Sequence, residues 1–391
     1  MNARRSRHDT TWLRVCLALL AGAFSAPGSA SEGLSDPDAT PETVRLYKNL
    51  RAIAGERLLV GQYAPYTRGK YTQPEAARAV EPAYDRTDMH ALTGAHPAVV
   101  ELGLHKTEHY DYWRRLVPEL HRRGVVISFS THSQNPDLAV PPNDSHKSNE
   151  GDPVGKVLDR NSADHRAYLA VLDGYADFLG SLKDDDGRAI PLLFRPYHEY
   201  TGWWFWWGTR TATPEQFNEL WVMTVDYFRH TRGLHNLIWV ISPSKPVTEE
   251  KYMSRFPGTD YVDVLGFDVY APGDGSPILL ESARSAVGLA RRFGKIAAVT
   301  EYGYKKGISP ETPANFYSAM LTDNILPDEV ARDVAYAVTW FGREPQEDDA
   351  TGNWSPYHDE PTSRHVYADF IKFRRHPWTA FEGDVQGLYG D

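Results

Sequence analysis

Apolar and polar positions are organised on two scales along the chain. Continuously apolar runs of five or six residues recur at Leu58–Tyr63, Ala98–Leu102, Val125–Phe129, Leu192–Pro196, Leu237–Ser242, Val264–Val269, Ile296–Glu301 and Ala335–Trp340. Runs without polar alternation predict strands buried on both faces. Between them lie stretches with helical spacing: Glu108–Arg123, Ala163–Leu182, Pro214–Arg232, Ser282–Phe293 and Thr312–Leu321. In Ala163–Leu182, the residues Tyr168, Leu172, Tyr175, Leu179 and Leu182 fall on one face of a helix. Gly124, Gly233 and Gly294 stand between such a stretch and the next run, where a helix-ending glycine belongs. Eight strand–helix units in one uninterrupted series predict an α/β fold, a (β/α)8 TIM barrel, as a single domain. The length of 391 residues suits such a barrel. No linker is visible after residue 31, and Ser31–Thr40 reads as a short disordered lead-in.

The first thirty residues break this pattern. Arg4, Arg5 and Arg7 precede an apolar run from about Trp12 to Phe24, and small residues follow at Gly28 and Ala30. That order predicts a secretory signal peptide over 1–30, with a catalytic domain over 31–391 and a secreted or periplasmic location. The run is too short for the ~20 residues of a membrane span, so no membrane association is expected of the mature form. The single cysteine, Cys16, lies inside this segment. Disulfides, thiolate metal sites and a cysteine nucleophile are thereby excluded from the mature chain.

Composition narrows the partners. The net charge is −10, and residues 1–30 hold four of the Arg and one Asp, so the rest is more acidic still. An acidic protein is a poor nucleic-acid binder. Aromatic residues make up 12% of the chain, with eleven Trp, which suits either sugar-ring faces or a packed core.

In a barrel of this type, chemistry sits at the C-terminal ends of the strands. The fourth run leads into RPYHEYTGWWFWWG, Arg195 to Gly208, and the seventh ends in VTEYG, Val299 to Gly303. Each puts a Glu at the end of a strand, and strands four and seven lie across the barrel from each other. Facing carboxylates, Glu199 and Glu301, are the minimum equipment for cleaving a glycosidic bond; about 5–5.5 Å between them means retention. The polar stretch from Thr131 to Ser162 after the third run would lie on the same face, and a loop of that length is usually functional or disordered.

The segments RPYHE, TGWWFWWG and VTEYG resemble glycoside hydrolase family 26, mostly β-mannanases, and the spacing of elements fits over essentially the whole chain after residue 30. The resemblance implies Glu199 as acid/base and Glu301 as nucleophile in a retaining endo-1,4-β-mannanase. It also implies substrate-side roles for His198, Trp204, Asp268 and Tyr270, with Trp206 in the core. Glu101, His132 and Trp340 match less sharply as binding residues. A structural hydrogen bond for Glu101 and a solvated loop for His132 stand beside that reading. The chain departs from the pattern at Phe341, where many members have Arg; Arg343 follows two residues later. No cofactor or metal is required by this chemistry, and a monomer acting on a mannan-type polysaccharide or oligosaccharide is expected.

Other readings stand beside this one. A β-1,3-xylanase or mixed-linkage β-glucanase would share the fold and catalytic pair. HKTEH, His105 to His109, has the order of an inverted zinc-peptidase motif, which needs both His on one helix face. A barrel that binds sugar without cleaving it is the third. No G-x-S-x-G or phosphate-cradling loop is present.

Overall fold

The computed structural model describes residues 33–69, 84–140, 149–245, 247–271, 273, 275–305, 307–342 and 364–390. All eight expected strands are present: β1 (Leu58–Tyr63), β2 (Val99–Gly103), β3 (Val126–Ser130), β4 (Leu192–Arg195), β5 (Leu237–Ile241), β6 (Val264–Ala271), β7 (Ile296–Tyr304) and β8 (Val334–Thr339). Each pairs in parallel with the next, and β8 pairs with β1, so the sheet closes into a (β/α)8 barrel. A two-residue strand, β9 (Thr379–Ala380), adds to the lower end of β1 and was too short to show in the pattern.

The helices are α1 (Pro41–Ile53), α2 (Asp88–Thr93), α3 (Tyr110–Arg122), α4 (Pro153–Leu158), α5 (Ala163–Ser181), α6 (Pro214–Asp226), α7 (Glu249–Met253), α8 (Ser276–Phe293) and α9 (Tyr367–Arg375). Caps fix their starts. Ser162 Oγ accepts the His165 amide at the head of α5, and Thr213 and Gln216 form a reciprocal capping box around Pro214 at the head of α6. The helix expected over Thr312–Leu321 is a correction. Ser309 and Thr312 bond to each other in a turn, Phe316 N bonds Pro313 O, and the remainder is one π turn, Ser318–Thr322. The disordered lead-in is a second correction. Leu34, Ser35 and Asp36 are buried, and Ser35 N donates to Asp263 Oδ1 at 2.5 Å beneath the barrel. Asp263 also accepts Trp239 N at 2.8 Å, so a buried carboxylate ties the lead-in to the barrel floor. Such an anchor depends on a partner more than two hundred residues away, and no local pattern announces it.

Alternation along each strand builds two cores. Leu58, Val60, Val100, Ile127, Phe129, Phe194, Trp239, Phe267 and Val299 point outward and pack under the helices. Leu59, Val99, Val126, Leu193, Ile238, Val264 and Ile296 point inward and fill the lower barrel with α1 residues Leu46, Tyr47 and Leu50. The same inward parity, continued upward, passes from Val99 to Glu101, from Val126 to Ser128, from Leu193 to Arg195 and from Val264 to Asp268. The interior thus changes from oil to charge on approaching the C-terminal face.

Candidate active site

Strict alternation would not place Glu301 inside. Ile296 and Ala298 face the interior while Ala297 and Val299 face the helices, so position 301 should face out. A one-residue β-bulge changes this: Phe267 pairs with Val299, but Asp268 pairs with Glu301, and Thr300 is the extra residue. Thr300 Oγ1 donates to Asp268 Oδ1 at 2.6 Å, Glu301 turns into the barrel, and Tyr302 returns to the outer core.

Inside, Arg195 is fully buried among three carboxylates. Its Nε and Nη2 donate to Glu101 at 3.2 and 2.7 Å, its Nη1 to Asp268 at 3.1 Å, and its Nη2 also to Glu301 Oε1. Tyr270 OH donates to the other Glu301 oxygen at 2.8 Å. Burial works against the charge on Arg195, but Glu101, Asp268 and Glu301 outweigh it and hold the guanidinium charged. Burial pushes both Glu301 and Asp268 above the usual carboxylate range, with Arg195 pulling each back down. One cation is shared among three buried anions, so the cluster resists carrying its full negative charge.

Glu199 reaches the same cleft from the opposite wall. Tyr197 and Glu199 both adopt left-handed backbone, with φ of 51° and 53°, an uncommon conformation for side chains of this size. The turn is held on both sides. Tyr197 OH bonds Tyr168 OH at 2.6 Å and Thr224 Oγ1 at 2.8 Å in the core, and Glu199 N donates to Ser242 O at 2.7 Å. Trp204 Nε1 then donates to Glu199 Oε2 at 2.9 Å. A Cβ on Gly202 would lie 2.5 Å from the Trp204 ring, so only glycine lets that indole fold back over the acid. Trp206 and Trp207 are buried, as expected for Trp206, with their Nε1 atoms on Ser133 O and His198 O.

The cleft encloses about 1020 Å³ and contains Glu199, Glu301, His198, Trp204, Tyr270, His132 and Trp340 in its lining. Asp268, expected near the sugar or acid, lies instead beneath the cleft, and so does Glu101, which takes the structural hydrogen bonds that stood beside a sugar contact as its alternative. Each is 1% exposed and committed to Arg195, with Ser128 Oγ also donating to Glu101 and Ser242 Oγ to Asp268. His132 is no solvated loop residue: its ring packs edge-on against His198 at 4.3 Å. The Thr131–Ser162 stretch contributes Ser133, Gln134, Asn135, Pro136 and Leu138 to one wall. Phe341 lines the cleft and carries the Arg68 guanidinium 4.4 Å above its ring, while Arg343 lies outside the described residues.

Sequence reasoning passed over Arg195 and Tyr63, and singled out His105 only as part of the zinc-type motif. Arg195 had a signal: a charge ending an apolar run at inward parity must be paired. Tyr63 stacks under Trp340 with ring centroids 4.1 Å apart, a contact between strands that only closure brings together. The zinc-type reading of HKTEH is not met. Residues Thr107–His109 form one 3-10 turn, His109 packs on Trp113, and His105 faces His132 in the cleft. Among the described residues, the acidic and imidazole groups close enough to share a cation are Asp36, Asp38 and His235. Arg229 Nε already lies 3.8 Å from Asp36 there.

A parallel barrel whose C-terminal cleft presents two carboxylates from opposite strands, walled by indoles and imidazoles, has the build of a barrel glycoside hydrolase. Residues 35–310 match Glycosyl hydrolase family 26. The chain belongs to that family. It is 28% identical over 356 residues to a mannan endo-1,4-beta-mannosidase of Bifidobacterium adolescentis, covering 81% of this chain and 33% of that one. The chain spans between a third and about half the length of the first curated relatives it matches. Among solved structures, the catalytic domain of a family 26 endo-beta-1,4-mannanase from Bacillus sp. JAMB-750 superposes with a TM-score of 0.82 at 26% identity, covering 92% and 97% of the two chains. The family 26 beta-mannanase BoMan26A of Bacteroides ovatus superposes with a TM-score of 0.77 at 30% identity, covering 90% and 98%.

Proposed function

We propose that the protein is a retaining endo-β-1,4-mannanase in which Glu301 is the nucleophile and Glu199 the acid/base. The observation that carries this is the contrast between the two carboxylates in one cleft. Glu301 takes hydrogen bonds from a guanidinium and a phenol, which favour its ionised form against burial. Glu199 stands half-buried on the opposite wall, facing the same space. In the first step a Glu301 oxygen attacks the anomeric carbon, the glycosidic C–O bond breaks, and the Glu199 proton passes to the leaving oxygen. In the second, water attacks that carbon, Glu199 takes the water's proton, and the bond to Glu301 breaks.

Trp204, His198, His132 and Trp340 supply the wall against which sugar rings bind, with Trp204 also orienting Glu199. Glu101 and Asp268 act through Arg195, as positioning residues for Glu301. The names of the family relatives support β-1,4-mannan as the substrate class. Residues 1–30 support export, and they lie outside the described residues. No helix of the described residues is long and apolar enough to cross a membrane.

Product analysis tests the assignment. Residues 31–391 are incubated with linear mannan, galactomannan, mixed-linkage β-glucan and β-1,3-xylan, with Glu301→Gln as control. A ladder of manno-oligosaccharides whose newly formed ends are initially β-anomers, absent in the control, is the expected result. Mannobiose as sole product would replace endo with exo action. Cleavage of only glucan or xylan would overturn the substrate, and binding without cleavage would overturn the enzyme.

A further inference from the structure

We propose that His105 is a substrate-binding residue whose Nε2–H donates to a hydroxyl of the sugar seated against Trp340. The inference rests on the mannanase reading and deepens it. His105 follows β2 and lines the cleft half-buried, in a segment that the zinc-type pattern had singled out for another purpose. The backbone amide of His132 donates to His105 Nδ1 at 3.2 Å. A ring nitrogen that accepts cannot carry the proton of the neutral imidazole, so that proton is on Nε2. A main-chain group therefore sets the tautomer and makes the opposite edge of the ring a hydrogen-bond donor.

The surroundings place that donor in the sugar wall. The His105 ring meets His132 at 5.0 Å, and His132 meets Trp340 at 5.8 Å. Tyr63 covers one face of Trp340. A pyranose stacked on an indole buries its C–H face and directs its hydroxyls sideways, toward the rim of the ring. His132 stands near that rim, and His105 lies beside His132 on the same cleft wall. Gly103 makes the arrangement possible: a Cβ there would strike the Tyr63 hydroxyl and come within 2.7 Å of His105 Cε1. The tyrosine that backs Trp340 and the imidazole that serves the sugar thus converge over one glycine.

Two substitutions separate the two nitrogens. In His105→Asn the side-chain oxygen reaches the place of Nδ1 and still accepts from His132, while the distal donor is lost. In His105→Gln the amide reaches the place of Nε2 and restores a donor. Steady-state kinetics on mannopentaose, with thermal unfolding as a fold check, should give His105→Asn a KM raised about tenfold with kcat little changed and an unaltered melting point. His105→Gln should recover much of the loss in KM. A His105→Asn enzyme with wild-type KM would overturn the proposal and leave His105 as a support for His132. A loss in kcat alone would overturn it equally. A wild-type enzyme inactive on every β-mannan would remove the mannanase reading, and this inference with it. An active wild type beside an unaffected His105→Asn would remove the inference alone.

Discussion

Arg195 serves three carboxylates with one guanidinium, and the chemistry of Glu301 depends on how that charge is divided. As the proposed nucleophile, Glu301 must be ionised to attack, so activity should rise with pH through its raised pKa. Glu101→Gln removes one competitor for Arg195, which lowers the pKa of Glu301. The acidic limb of kcat/KM should therefore move to lower pH, as measured on a soluble manno-oligosaccharide; a limb that stays put or moves up contradicts the shared-cation account. Tyr270→Phe removes the other donor, and should shift the same limb upward while reducing kcat. Glu199→Gln should lower kcat/KM by roughly 10²–10⁴ on a natural polymer, far less on an aryl mannoside with a good leaving group that needs no protonation. The residues in these tests differ in how far the sequence revealed them. Glu199 and Glu301 stood out as a pair, because two carboxylates at facing strand ends, each in an aromatic and Gly-rich context, are more than a lone salt bridge requires. The partners of Glu101 and Asp268 come from other strands, so their commitment to Arg195 instead of to sugar could be read only after the barrel closed.

Among elements, the strands were legible and the exceptions within them were not. Each apolar run became a strand because burial on both faces demands unbroken hydrophobicity. The bulge in β7 has no such signature: Thr300 is β-branched and would sit in a regular strand equally well, yet the register slip at this residue decides which way Glu301 points. The helix misjudged at Thr312–Leu321 fails for a similar reason, since turn bonding at Ser309 and Thr312 outcompetes an apolar pattern of helical period. Between α8 and the turn before β8, Arg284 binds Asp328, whose carboxylate also accepts the amides of Val330 and Ala331. The Arg284 hydrogen bond, together with those amides, holds the Asp328 pKa down at about 2. A depressed pKa contributes stability above the unfolded-state value and loses it as pH falls through the folded one. Asp328→Asn should therefore cost about 1 kcal/mol at neutral pH, after allowing for solvent screening. In denaturant titrations that difference should shrink as the pH falls below 4, with only a fraction left at pH 2; a gap at pH 2 as large as at neutral pH contradicts the assignment.

For the whole molecule, the fold class followed from counting units, whereas the sealing of the barrel did not. The lower mouth is closed by Leu34 from before α1 and by Leu388 near the other end, both in the same inner core, with Ser35 N bonded to Asp263 beside them. Asp263→Asn should test this seal, because an amide can satisfy Ser35 N and Trp239 N only by leaving one donor facing another. A loss of roughly 1–3 kcal/mol in unfolding free energy is expected, with kcat unchanged because the site lies at the opposite mouth. An equal loss of kcat would mean that the two ends of the barrel are coupled.

The pairing of β1 with β8 and β9 has a consequence for how the chain is made. A ribosome releases β1 early, but β8, which covers the edge away from β2, and β9, which extends the β2 edge downward, are built some three hundred residues later. Until then β1 carries an open line of amides and carbonyls, and Leu59 and Val60 have only part of their eventual neighbours. Closure cannot proceed as a march along the chain; the first strand waits for the last. Such a chain cannot complete its barrel for as long as its final segment is withheld.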